Sequence, residues 1–158
     1  MKTKCLYSLI ARRGFNLLAV ITCGVLIFSS SCKKEDSPIE NKNELIGTWK
    51  CIGFGNTETE TFRSIEPMDC DKCYKFSFQN DNVFGGQTYT NGVSWHYEII
   101  NDSIKFTHQF STDVNELYDG DEFRNAIENT FAYQLNDSGA LKLFYTGEDF
   151  NYLLFESR

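Results

Sequence analysis

From Leu45 to Arg158 apolar residues recur mostly at every second position, the period of strands with one face buried and the other in solvent. Tyr74, Phe76 and Phe78 alternate with Lys75, Ser77 and Gln79, and Val93, Trp95, Tyr97 and Ile99 alternate with Ser94, His96 and Glu98. Further strands are expected near Ile46 to Phe54, Val83 to Tyr89, Ile104 to His108, Phe131 to Leu135, Leu141 to Tyr145 and Tyr152 to Phe155. Asn80-Asp81-Asn82, Asn101-Asp102-Ser103 and Asn136-Asp137-Ser138-Gly139 carry turn chemistry, so neighbouring strands should pair as antiparallel hairpins. Asp119-Gly120-Asp121-Glu122 has the Asp-x-x-Glu spacing of a capped helix start, after which Phe123, Ala126 and Ile127 share one face. A sheet of this size leaves exposed edges unless it closes. The pattern therefore predicts a mainly β domain, a small antiparallel β-barrel or strongly curved sheet of about eight strands with one α-helix.

Upstream the pattern changes. Lys2, Lys4, Arg12 and Arg13 precede a largely apolar run from Phe15 to Phe28, and Ser29-Ser30-Ser31-Cys32 follows. Basic, apolar and small residues ending in a cysteine have the layout of a lipoprotein signal peptide, which makes Cys32 the lipidated first residue of the mature chain. The run is shorter than the roughly 20 residues that a membrane-spanning helix needs. Arg12-Arg13-Gly14-Phe15 also resembles a twin-arginine export signal, although basic pairs are ordinary in such n-regions. Residues 1–31 are read as the lipoprotein signal peptide, 32–44 as the lipidated Cys32 with a flexible tether, and 45–158 as a single β domain of 114 residues. Each acyl methylene buried in the bilayer contributes about 0.8 kcal/mol, so several chains on Cys32 would anchor the protein permanently. Lys33 in place of Asp after the cysteine predicts an outer-membrane address, facing either the periplasm or the cell surface. Lys33-Lys34-Glu35-Asp36 resembles the charged export signals of surface lipoproteins in the Bacteroidota.

Cleavage changes the charge. Removing the four basic residues of the signal from 15 leaves 11 against 22 acidic ones, a formal charge of −11. Nucleic-acid and anionic-lipid binding both draw on Lys and Arg, so this balance argues against either partner.

Gly47-Thr48-Trp49 at the head of the first strand resembles the Gly-x-Trp signature of lipocalins and lipocalin-like bacterial lipoproteins. The later half is similar to the META-domain proteins of the bacterial envelope. The matching stretches are Phe76-Ser77-Phe78, Phe84-Gly85-Gly86, a helix with Phe123 and Ile127, Tyr133-Gln134-Leu135, Leu141-Lys142-Leu143 and Leu153-Leu154-Phe155. Where META domains have Gly-Cys-Asn, Thr88-Tyr89-Thr90-Asn91-Gly92 keeps only the Asn. The resemblance implies a non-enzymatic β domain for binding or envelope stress resistance, with no catalytic residues and no cofactor to carry over. Lipocalins hold small apolar ligands inside the barrel, and the residues that would line such a pocket here are Trp49, Phe76, Phe78, Trp95, Tyr97 and Phe106. Rings of this bulk can equally fill a small barrel.

Cys51, Cys70 and Cys73 lie in the domain, and an oxidising envelope lets disulfides persist. Either Cys70 and Cys73 bond each other while Cys51 is buried as a small hydrophobe, or Cys51 bridges to one of them. A redox role for Cys70 and Cys73 needs a helix N-terminus, whereas a strand follows them. A zinc site would combine this pair with His96 and His108, yet the strand period puts His96 on a polar face and His108 on an apolar one. Asp113, Glu116, Asp119, Asp121 and Glu122 lack the spacing of an EF-hand loop, and no predicted carboxylate pair is desolvated for acid–base work. Ser64, Ser94 and Ser157 lack a Gly-x-Ser-x-Gly context. Asp102-Ser103-Ile104 resembles the O-glycosylation sequon of Bacteroidota envelope proteins. The segment Gly55 to Asp69, with Glu58, Glu60 and Glu66, reads as a long loop that could dock an envelope protein.

Overall fold

Alternating burial shapes most of the strands. In the longest of them Val93, Trp95 and Tyr97 point inward, and Gly92, His96 and Glu98 face solvent. The computed structural model describes residues 43–112 and 114–158; the expected signal segment 1–31, Cys32, the expected tether as far as residue 42, and Asp113 lie outside the described residues. The elements are β1 (Gly47–Gly55), β2 (Phe62–Ser64), β3 (Lys75–Phe78), β4 (Val83–Gln87), β5 (Gly92–Ile100), β6 (Ser103–Ser111), α1 (Gly120–Glu128), β7 (Thr130–Leu135), β8 (Ala140–Tyr145) and β9 (Tyr152–Ser157). A helical turn at 43–45 precedes them, so the folded part begins slightly before the expected boundary. Leu45 in that turn is fully buried, and its carbonyl accepts a hydrogen bond from the Trp49 indole at 2.8 Å.

Sequential antiparallel pairing from β3 to β9, completed by β1 against both β3 and β9, closes an eight-stranded barrel. β2 is an additional strand that the sequence pattern does not reveal. It forms because β1 is nine residues long and β3 only four: β3 covers Gly47 to Lys50, which leaves Gly53 to Gly55 on the same edge for β2. The segment Gly55 to Asp69 is thus partly sheet and not a free loop, although Glu58, Glu60 and Glu66 remain exposed.

Closure is weakest between β6 and β7, whose register has the single pair Ser103 and Ala132. α1 lies against this seam. With its amide nitrogen turned to Glu128 and its oxygen to Arg124, the orientation that suits both partners, Gln109 of β6 donates to the first at 2.9 Å and accepts from the second at 2.8 Å, both on the helix. The expected face of α1, Phe123, Ala126 and Ile127, is buried. The expected cap is not formed. Asp119 makes no side-chain cap, because its Oδ2 instead accepts from Arg63 Nη1 at 2.7 Å and from the Glu66 amide at 2.8 Å. Competition from a guanidinium on β2 redirects the carboxylate, and the helix becomes fastened to that strand.

The interior is aromatic. Phe84 is its hub, with its ring centroid 5.0 Å from Phe76, 4.5 Å from Phe78 and 5.2 Å from Phe106. Phe76 also stacks on Phe123 of α1 at 5.0 Å, so the helix packs directly onto the barrel core. Gly86 permits this closeness, since a Cβ there would lie 2.1 Å from the Lys75 carbonyl oxygen and 2.8 Å from the Phe76 backbone. Any larger residue would push β3 and β4 apart.

Cys51 sits fully buried on the inner face of β1 with a free thiol. Burial pushes its pKa from 9.0 up to about 12. Tyr74 and Tyr145 are shifted upward too, again chiefly by burial. Because the folded state holds these protons more tightly than the unfolded chain, their stabilising share is complete below about pH 9 and declines as pH rises towards the folded values. Chemical denaturation should therefore give a lower midpoint at pH 11 than at pH 8, and a thiol reagent at pH 8 should label Cys51 only after unfolding.

Candidate functional site

The six residues proposed from sequence to line a ligand pocket all point into the barrel. Trp49, Phe76, Phe78, Trp95, Tyr97 and Phe106 are each no more than 5 % exposed. They lean on one another and on Phe84: Phe78 meets the edge of Tyr97 at 5.0 Å, and Trp95 lies 6.0 Å from Phe76 and 6.1 Å from Phe84. The Tyr97 hydroxyl donates to the Gln79 carbonyl at 2.9 Å. The Trp95 indole N–H is buried and has no hydrogen-bond partner among the described residues. Sequence alone leaves Phe84, Phe123 and Phe155 out of this inward set, although Phe84 shares its face with Gly86 and its period with Val83 and Gly85.

Of the two cysteine pairings open from the sequence, the structure has Cys70 bonded to Cys73, with Cα atoms 5.4 Å apart. The bridge lies in the turn before β3, beside Lys50 midway along β1. There Lys50 Nζ donates to the carbonyl oxygens of Cys70, at 2.6 Å, and Cys73. Partial burial of that ammonium lowers its pKa. A loop this short constrains the unfolded chain only modestly, about 2 kcal/mol in the chain-entropy account. Dithiothreitol should lower the guanidinium unfolding midpoint by a corresponding amount while far-UV circular dichroism stays native.

The four-ligand zinc set read from sequence is not assembled, because both cysteines are consumed by the disulfide. Among the described residues no group of three or more His, Cys, Asp or Glu side chains is placed to hold a metal. The expectation that His96 and His108 diverge is, however, overturned. Their ring centroids are 6.1 Å apart, with the planes at 84°. A bulge in β6 shifts the register beyond Thr107 and turns His108 outward, so it is exposed beside His96 and not directed into the core.

Three members of the acidic cluster, Glu116, Asp119 and Glu122, are committed to internal contacts. Asp119 and Glu122 hold Arg63 at 2.7 and 2.5 Å, and Glu116 accepts from the buried Thr88 hydroxyl at 2.8 Å. Asn91 is buried as well, donating to the Val114 carbonyl at 2.6 Å and accepting from Thr112 at 2.8 Å. Its side chain pins the β4–β5 turn to the segment after β6. Asp102 and Ser103 are exposed at the β5–β6 turn, and Ile104 is buried.

Two of the clefts on the outer wall flank β6. One, of about 450 Å³, follows the β6–β7 seam between Ile100, Ile104, Lys105 and Phe131, where Ile100 and Phe131 are 67 % and 56 % exposed. The other, of about 430 Å³, holds Asp81, His96, Glu98, Thr107, His108 and Phe110.

Together these features define a small antiparallel barrel with a ring-filled interior, a capping helix and a disulfide outside the sheet. No family model matches the sequence, and no curated protein matches it. Among solved structures, the fold is similar to the NMR structure of a protein from Burkholderia xenovorans, with a TM-score of 0.57, 14% identity, and 79% of this chain and 90% of that one covered. It is also similar to the crystal structure of a DUF4847 family protein from Bacteroides vulgatus, with a TM-score of 0.50, 17% identity, and coverage of 72% and 94%. At such identities the likeness is one of fold.

Proposed function

We propose that this chain is an outer-membrane lipoprotein, anchored through Cys32, that presents a META- or lipocalin-like barrel for binding or envelope stress resistance without catalysis. The observation that supports this reading is the packing of the barrel interior. Phe76, Phe78, Phe84 and Phe106 occupy the volume in which a lipocalin would hold its ligand. Binding then falls to the outer wall, where side chains and clefts are accessible. The polar stretch after Cys32 would hold that wall clear of the membrane.

A second reading, a carrier of a small apolar ligand, draws support from one atom. The Trp95 indole N–H is buried without a partner, and leaving such a donor unsatisfied is costly unless something accepts from it. Native mass spectrometry of protein extracted from its own membrane separates the two. The filled-barrel reading expects only the mass of the lipidated chain, and a retained small molecule lost on denaturation would favour the carrier.

A further inference from the structure

β5 and β6 do not run in constant register. From Ser94 to His96 is two residues on β5, but their partners Phe110 and Thr107 are three residues apart on β6. The extra residue is a bulge, and His108 within it has φ of 53°, a left-handed backbone that residues other than glycine seldom adopt. In an unbroken strand His108 would follow Ile104 and Phe106 into the core. The bulge instead brings its ring to the outside, 6.1 Å from His96.

That separation has a chemical meaning. Two imidazole nitrogens at about 2.0–2.1 Å from one zinc ion put their ring centroids about 4.5–6.4 Å apart, depending on the angle at the metal. The observed spacing lies at the wide end of this range, about 0.9 Å beyond the roughly 5.2 Å of a tetrahedral angle, and rotation of the two exposed rings closes that gap. His108 Nδ1 lies 3.1 Å from the Thr107 hydroxyl, and with that nitrogen protonated the opposite one is free to ligate. Asp81 and Glu98 line the same cleft and place negative charge near the pair.

We propose that His96 and His108 form a site for a divalent first-row transition-metal ion, zinc or copper, on the outer wall of the barrel, with water completing the coordination. Two imidazoles with open positions make an exchangeable site of micromolar affinity, not a structural one. This proposal is independent of the lipid anchor and of any role for Cys70 and Cys73.

Titration of the purified chain with Zn²⁺ by calorimetry, and with Cu²⁺ by electron paramagnetic resonance, tests it. One ion per chain is expected, with copper hyperfine structure from two nitrogens. His96→Gln and His108→Asn should each weaken binding tenfold or more, and Asn at 108 tolerates the left-handed backbone, so the bulge is kept. Unchanged circular dichroism and melting temperature show that each variant is folded. Undiminished binding in either folded variant, or no binding to the parent chain at millimolar metal, would overturn the proposal.

Discussion

Phe76→Ala should destabilise the barrel by about 3–5 kcal/mol, a large part of the 5–15 kcal/mol typical of a domain. Phe76 is fully buried and touches rings on three sides: Phe84 from β4, Trp95 from β5 and Phe123 from α1. Removing it deletes the stack that joins barrel to helix, and the strands around it cannot collapse, because Gly86 already brings β3 and β4 as close as backbones allow. Urea denaturation of the parent and the variant measures the difference. A loss below about 1 kcal/mol would place Phe76 beside open space, as in a ligand cavity, since a packed ring never costs so little to delete. The same substitution therefore reads both stability and the state of the interior.

Cys32→Ala should move the protein from the membrane to the soluble or inner-membrane precursor pool. On the proposed anchoring, the variant has no site for the lipid, and residues 1–31 would stay attached because lipoprotein cleavage depends on that modification. The effect is large because one acyl chain alone gives only marginal binding and several are needed for a stable anchor. Fractionation with an alkaline carbonate wash, followed by immunoblotting, should find the parent chain in the outer membrane and the variant absent from it. Outer-membrane retention of the variant would assign the attachment to something other than Cys32.

Much of the barrel was legible as alternation. Tyr74 to Gln79 and Val93 to Ile99 follow period two, and such residues are read correctly because one face of each strand packs on the core while the other meets water. Phe123, Ala126 and Ile127 were legible for the same reason at helical spacing. β2 was not, since Phe62, Arg63 and Ser64 show no alternation and owe their pairing to the half of β1 that β3 leaves open. The cap at Asp119 was misread because its competitor, Arg63, is 56 residues away in sequence. The histidine pair was hidden by the bulge: one inserted residue reverses every inward and outward assignment beyond it. The register shift between β5 and β6 and the positive φ at His108 disclose the change, and no residue type at that position announces it. The Cys70–Cys73 bridge was legible as one of two pairings, and the choice between them rests on Cys51 lying inside the barrel while the other two lie in the turn before β3.

Intact mass of the protein purified from its native membrane, before and after alkylation without reductant, bears most directly on the central claim. The account predicts a chain that begins at Cys32 and carries acyl lipid, falls short of the fully reduced mass by two hydrogens for Cys70 and Cys73, and gains one alkyl group on Cys51 once unfolded. An unlipidated N-terminus, or three alkylatable thiols in the domain, would contradict it.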